Sequence, residues 1–310
     1  MSKNTGGAGI PRQRRIGPGQ RRDMIFSYAY LLPFLLIFFT FTVVPVVVSI
    51  GLSFTDYNIL EPPRFIFLQN YLKLFLSDDE FLIAVKNTLI IAVITGPVGY
   101  ILSLLFAWSI NELRPMLRAI MVLVFYAPSI SGGVYMIWTI MFSGDAYGYM
   151  NALLLYTGVI DTPIQWLTDP KYMLGLVIVV MLWMSLGAGF LSFVAGLQTI
   201  DRSYYEVGYI EGIRDRWQEL WFITLPHMKP QLMFGAVMSI TSSFAVGDVT
   251  TVLCGFPSTD YAAHTILNHL QDYGGIRFDM GYASAIATVL FVFMVGTNLA
   301  VQRLLSKVGE

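Results

Sequence analysis

The chain has 310 residues, of which 55% are hydrophobic and 13% charged, with a formal net charge of −1 and a single cysteine, Cys254. Together with a mean hydropathy of +0.63, this excludes an ordinary soluble domain, an intrachain disulfide framework and a metal cluster built on cysteines. A helix needs roughly 20 apolar residues to cross a hydrocarbon core of about 30 Å, so this length accommodates about six spans with their loops and no large soluble domain.

The first 23 residues are rich in Gly, Pro and Arg (Arg12, Arg14, Arg15, Arg21, Arg22) without apolar periodicity, which predicts a flexible basic cytoplasmic tail over residues 1–23. The apolar stretch that follows, about 27–54, is far longer than the h-region of a secretory signal and lacks a small-residue cleavage site, so it is expected to remain as an anchor. Further apolar runs at about 88–110, 117–142, 172–197, 231–253 and 281–305 complete six predicted transmembrane helices, and residues 24–310 read as one six-helix transmembrane domain. The runs lack the ten-residue alternation of a β-barrel, and a helix satisfies every backbone group within lipid, so the fold class is all-α and polytopic. Pro33, Pro45, Pro97 and Pro128 fall inside the runs and predict kinks.

Orientation follows from Lys and Arg. With the N-terminus inside, fourteen of the 19 basic residues lie on the cytoplasmic side, leaving Arg64, Lys73, Lys86, Lys171 and Arg277 outside. This threefold bias predicts an N-in, C-in topology. Basic residues placed for topology give no reason to expect a nucleic-acid partner. The outer loops are too short for a separate domain and read as re-entrant or surface helices, with Trp138 and Trp166 in an interfacial aromatic belt. Their acids Asp78, Asp79 and Glu80 have no base nearby in sequence and read as a solvated cap. His227, His264 and His269 show no metal-ligand spacing and read as loop or surface residues; no metal and no catalytic site is expected.

The most informative segment is the cytoplasmic loop 198–230. Asp201 is a plausible N-cap for a helix from about Arg202 to Glu211. Gly212 permits a left-handed turn. A second amphipathic pattern follows, with Ile213, Trp217 and Leu220/Trp221 on one face. The bland alternative is an amphipathic helix lying on lipid headgroups, for which the mixed charge is poorly suited.

Glu206, Val207 and Gly208, then Gly212, then Ile223, Leu225 and Pro226 resemble the cytoplasmic EAA loop of the permease subunits of binding-protein-dependent ABC importers, with Val and Gly where that family usually has two alanines. The stretches FIFLQNY at 65–71, Asn87-Thr88, WLTDP at 166–170, AGLQT at 195–199 and GYASA at 281–285 look like its sugar branch, which includes maltose, lactose and glycerol-phosphate permeases. The resemblance spans nearly the whole chain and implies a type I importer fold in a bacterial or archaeal plasma membrane. It implies that Glu206, Tyr209, Ile210, Gly212 and Ile213 dock into an ATPase subunit, that a second permease completes the pore, and that an extracytoplasmic binding protein delivers sugar. No G-x-x-x-x-G-K-[ST] loop is present, so ATP and Mg are expected on the partner ATPase dimer and no cofactor on this chain. Cys254-Gly255-Phe256-Pro257 replaces a run often Gly-Gly-Gly-Pro in the branch.

A substrate with many hydroxyls needs convergent polar groups and an aromatic face. The fourth span offers Trp183 and Ser185. The fifth offers Ser239, Ser242, Ser243 and Asp248. In the maltose transporter the corresponding regions line the sugar site, a likeness by region only. Asp248, the one acid placed inside the fifth span, is equally open to hydration from outside or pairing with a neighbouring helix. The serines are open to helix–helix packing. Competing functions are an ion- or proton-coupled secondary carrier, which would need an intramembrane acid–base relay, a membrane-embedded enzyme, which would need convergent catalytic groups, and the same importer with a non-sugar solute.

Overall fold

The computed structural model describes residues 18–306 and divides into two compact units, residues 1–49 and 50–310. Of the predicted basic tail, residues 1–17 lie outside the described residues, and Pro18 already opens a helix. In the first unit, α1 (Pro18–Phe38) passes through a π-helical turn, Phe39–Val43, into α2 (Val44–Leu52). The wider turn falls two residues before Pro45, which has no N–H to give the carbonyl four residues back, and Val44 N–H bonds the Phe39 carbonyl instead. The large apolar side chains along α1 are exposed, as a lipid-facing helix requires.

The second unit continues with a two-residue antiparallel ribbon, β1 (Thr55–Asp56) with β2 (Arg64–Phe65), pairing Thr55 with Phe65. There follow α3 (Gln69–Leu76), α4 (Asp79–Asn111), α5 (Pro115–Ile130), α6 (Met136–Met141), α7 (Tyr149–Tyr156), α8 (Pro170–Trp183), α9 (Ala188–Thr199), α10 (Arg202–Ile210), α11 (Arg216–Glu219), α12 (Leu225–His227), α13 (Lys229–Phe244), α14 (Asp248–Cys254), α15 (Ile266–Gln271) and α16 (Met280–Leu305). Among the described residues, four helical stretches are long and apolar enough to cross a membrane: 26–52, 79–111, 170–199 and 280–305. They become five if α13 and α14, bent by 41° across a short break, form one span.

The run 117–142, expected as one continuous helix, is instead divided into α5 and α6 at Ser131–Tyr135. Pro128 followed by Gly132-Gly133 accounts for the division, since the glycine pair removes the helical preference that an apolar run otherwise carries. The fourth run is likewise interrupted at Met184–Gly187, and the fifth at Ala245–Gly247.

The 33-residue α4, about 50 Å long at 1.5 Å per residue, is the mast of this unit. Its Phe81 and Ala92 belong to one buried cluster with Ile240, Phe244, Ile266, Tyr282 and Ile286. Midway, Ile91 packs with Met173, Val177, Val180, Val246 and Val249. Near its end, Ala107 and Ile110 pack with Phe190, Phe193, Leu197 and Met228.

Several stretches that carry the family resemblance serve as polar pins in this packing. Asn70 donates to the Ser53 and Thr55 carbonyls, both at 2.9 Å. Asn87 donates to the Tyr261 and His264 carbonyls, and Thr88 Oγ1 accepts from Ile266 N–H at 2.9 Å. Trp166 donates to Asn151 Oδ1 at 2.9 Å.

Candidate functional site

The EAA-like loop folds as two short helices whose geometry explains its sequence. Asp201 caps α10 by accepting from Ser203 N–H at 2.9 Å, a bond that lowers its carboxyl pKa. At the other end Gly212 adopts φ +100°. Its N–H reaches the Tyr209 carbonyl and the Ile213 N–H reaches the Gly208 carbonyl at 2.9 Å, the paired bonds of a Schellman cap. Ile213 turns back over Gly208, its Cδ1 only 3.3 Å from where a Cβ at that position would stand.

The two faces of α10 then divide. Tyr205 and Gly208, three apart, face the chain: Tyr205 Oη lies 3.0 Å from Thr224 Oγ1, and Gly208 is buried against Ile223. Glu206, Tyr209 and Ile210 share the opposite face, and all three are exposed, Ile210 at 83%. Of the five residues expected to contact the ATPase, the fold therefore brings Glu206, Tyr209 and Ile210 onto one outward surface, uses Gly212 for the turn beneath it, and turns Ile213 inward to half-burial.

The second amphipathic pattern is realised differently from the sequence expectation. α11 starts at Arg216, capped by Asp215, and a π-helical turn over Leu220–Thr224 follows, with Leu225 N–H on the Leu220 carbonyl. As at Pro45, a proline without an N–H, Pro226, stands just beyond the turn. The extra residue rotates the faces: Leu220 and Ile223 are buried while Trp217 and Trp221 are exposed. Trp217 and Arg216 still anchor the loop to the end of α4, the indole tilted against Trp108 with ring centroids 5.2 Å apart, the guanidinium lying over Trp108 and pairing with Glu112.

The three helix breaks meet around one cavity of about 400 Å³. Ser129 and Tyr135 line it from the first break, Met184, Ser185 and Gly187 from the second, and Ala245 and Asp248 from the third, with Tyr100, Ser239 and Ser242 between them. Interrupted helices belong where irregular backbone lines a cavity instead of facing lipid. Of the expected substrate residues, Ser185, Ser239, Ser242 and Asp248 are brought together here. The other two are not among the lining residues. Ser243 is buried on the far side of α13, bonded to the Ile240 carbonyl. Trp183 packs edge-on against Trp138 at 5.4 Å. Ser129 and Tyr135 were missed because 117–142 read as unbroken, and the Gly132-Gly133 pair was the signal for them.

At the start of α4 the structure also departs from the sequence expectation. Asp78, read as part of a solvated cap, and His264 and His269, read as loop or surface residues, are all buried. Asp78 caps α4 through Phe81 N–H at 2.9 Å and accepts from Tyr282 Oη at 2.6 Å, with His269 Nε2 at 3.1 Å. His264 Nε2 stands 3.4 Å from His269 Nδ1. Burial pushes the Asp78 carboxyl up, but the bonds from His269, Tyr282 and Phe81 and the His269 charge outweigh it and hold the pKa at about 2. Burial, with the His269 charge, depresses His264 to about 4. Asp78, Glu80 and His269 place ligand-type atoms within 4.8 Å of one another, yet Asp78 spends both oxygens on these bonds, so the cluster is built as a clamp joining α4, α15 and α16. Asp79 and His227 are exposed as expected.

The family described as "Binding-protein-dependent transport system inner membrane component" matches residues 97–309. The chain belongs to this family. The permease is 32% identical over 280 residues, 88% of each chain, to the probable ABC transporter permease protein YesP of Bacillus subtilis. It is 29% identical over 283 residues, 90% of this chain and 92% of the other, to the trehalose/maltose transport system permease protein MalF of Thermococcus litoralis. Among solved structures it resembles a chain of a bacterial ABC transporter involved in import of the acidic polysaccharide alginate, with TM-score 0.75 at 24% identity over 94% of this chain and 98% of that one. The permease is thus a mostly helical membrane protein of the ABC permease fold.

Proposed function

We propose that this permease is one half of the translocation pore of an ATP-driven, binding-protein-dependent carbohydrate importer in a prokaryotic plasma membrane. It spans the membrane six times with both termini inside, the divided segments α5–α6 and α13–α14 each counting as one crossing. A second permease completes the pore, a dimer of ATPase subunits binds ATP and Mg, this chain having no nucleotide site, and an extracytoplasmic binding protein delivers the sugar. The carbohydrate cargo is supported by relatives named for lactose, trehalose/maltose and arabinooligosaccharide transport, and the binding protein by a related complex solved with its periplasmic protein at 26% identity.

The observation that carries this reading is the outward face of α10. A carboxylate beside two exposed apolar side chains, on a helix capped at both ends, is a surface made to enter a protein cleft: Glu206 supplies charge-assisted hydrogen bonds, Tyr209 and Ile210 the apolar contact. ATP-driven closure of the ATPase dimer then displaces α10 and α11. The Arg216–Glu112 pair and the Trp108–Trp217 ring contact transmit that displacement to α4, and the turn before Pro226 transmits it to α13. Both helices line the cavity, which opens alternately to the two sides.

Uptake of labelled maltose, lactose and arabino-oligosaccharide by proteoliposomes holding the assembled complex tests this. ATP-dependent uptake that falls to background in Glu206→Ala, with all subunits retained, is expected. Uptake by this chain alone, indifferent to ATP and to Glu206, would overturn the importer reading in favour of a secondary carrier.

A further inference from the structure

The coupling loop does not lie flat on the ends of the spans. Beneath it is a second cavity, of about 530 Å³, with Asn111 of α4, Arg118 of α5 and Gln198 of α9 on one wall and Arg202 and Tyr205 of α10 and Glu219 of α11 on the other. Tyr205 belongs to the inward face of α10, so an occupant of this cavity touches the opposite side of that helix from Glu206, Tyr209 and Ile210.

The polar groups here are only partly spent on one another. Arg118 directs Nη1 to the Asn111 carbonyl and Oδ1, at 3.2 and 3.4 Å, which leaves its other N–H groups and the Asn111 amide protons. Gln198 gives Nε2 to the Val194 carbonyl at 3.2 Å and keeps Oε1 as an acceptor. Arg202 and the half-buried Glu219 enter no ion pair among the described residues. Donors and acceptors are both present, as a hydroxyl requires, since it gives one proton and accepts through two lone pairs. With Glu112, two guanidiniums and two carboxylates line the cavity, so neither sign of charge dominates, and Trp108, Leu197 and Ile200 offer apolar surface to C–H groups. The volume falls within the range of about 300–1,000 Å³ typical of small-molecule sites.

We propose that this cavity is a cytoplasmic binding site for a neutral mono- or disaccharide, which bridges the span ends to the coupling loop and slows import as sugar accumulates inside. The inference rests on the reading of this chain as a sugar importer with the loop on the inner side. Adjacent ring hydroxyls meet Asn111, Arg118 and Gln198 on one wall and Arg202 and Glu219 on the other. A ligand that fits only while the loop stands off the spans stabilises that position of the loop by mass action. Closure of the ATPase dimer, which displaces α10 and α11, then works against that binding.

Hydrogen exchange in the assembled complex, without binding protein or ATP, reads the site by location. Millimolar maltose, lactose or arabinobiose is expected to slow exchange in peptides over 111–118 and 198–205. Glu219→Gln is expected to raise the sugar concentration for half of that effect about tenfold, the loss of one hydrogen bond to a charged group. Arg202→Ala supplies the same reading should Glu219→Gln fail to assemble. Exchange that none of the three sugars slows overturns the proposal, as does a slowing that the substitution leaves untouched. Import is then compared between proteoliposomes loaded with unlabelled sugar and empty ones. Loading is expected to lower the initial ATP-driven rate, and the loaded-to-empty ratio to return towards one in Glu219→Gln; a ratio that the substitution does not move assigns the inhibition to the pore cavity and sinks the regulatory role. Slowed exchange without ATP-driven uptake of any sugar would instead sink the importer reading and leave the site standing.

Discussion

Gly212 holds the coupling surface through its backbone alone. At φ +100° an L side chain is strained, at a cost of about 1–3 kcal/mol, and nothing stands within 4 Å of its missing Cβ, so the strain is the whole effect. Gly212→Ala is therefore expected to fray the end of α10 without disturbing the spans, seen as about tenfold or more faster hydrogen exchange at the Gly212 and Ile213 amides; unchanged exchange there would refute the Schellman cap. Gly208 acts by the opposite means, through space. An Ala at this position gains helix propensity of about 1 kcal/mol, but its Cβ would stand 2.6 Å from Ile223 Cδ1. Gly208→Ala is expected to destabilise the loop in the native background and to stabilise it once Ile223→Val has removed that methyl, a coupling of about 1–2 kcal/mol in a double-mutant cycle followed by thermal unfolding. Additive effects would mean that the glycine has no packing reason.

The clamp around Asp78 belongs to the scale of elements, because it ties the start of α4 to α15 and α16 through residues about 190 to 200 positions apart. Its pH dependence separates into two windows. His264 has a depressed pKa in the folded state, so the unfolded chain binds the proton first, and stability falls as pH drops from about 6.5 to about 4. Asp78 is depressed as well, but as an acid: its contribution, about 2 kcal/mol at 1.36 kcal/mol per pH unit, is complete above about 4 and is lost as pH falls through about 2. Thermal unfolding of the detergent-solubilised permease is expected to slope downward through both windows. His264→Gln should flatten the upper window alone and Asp78→Asn the lower one alone; a single substitution that flattened both would show that the two groups titrate as one. None of this was legible in the sequence, where Asp78, His264 and His269 are polar residues in loops and no spacing rule reaches across 190 positions. The capped helix α10 was legible, because Asp201 and Gly212 act within one helix length.

At the scale of the molecule, hydropathy located the apolar segments and could not show that three of them are broken. Apolar content sums over a window, whereas a break depends on a few residues within it: Gly132-Gly133 after Pro128, Gly187 beside Ser185, Gly247 before Asp248. Those breaks create the cavity, so the part of the pore that sequence reading found least well is the part that distinguishes a conduit from a bundle. They also make the topology a real question, since α5 has 16 residues and α6 six, and neither crosses about 30 Å of hydrocarbon alone at 1.5 Å per residue. If together they form one crossing, residue 60 before α4 and residue 147 after α6 lie on the same outer side, with residue 214 inside. If they do not, residue 147 falls inside and residue 214 outside. Leu60 and Tyr147 are 90% and 91% exposed and Arg214 is exposed, so each accepts a cysteine in the Cys254→Ser background. Labelling of intact cells with a membrane-impermeant maleimide is expected at Leu60→Cys and Tyr147→Cys, and at Arg214→Cys only after permeabilisation. A protected Tyr147→Cys beside a labelled Leu60→Cys would leave the third segment as a re-entrant hairpin and put α10 outside, away from ATP, so this measurement bears on the coupling surface as much as on the count of spans.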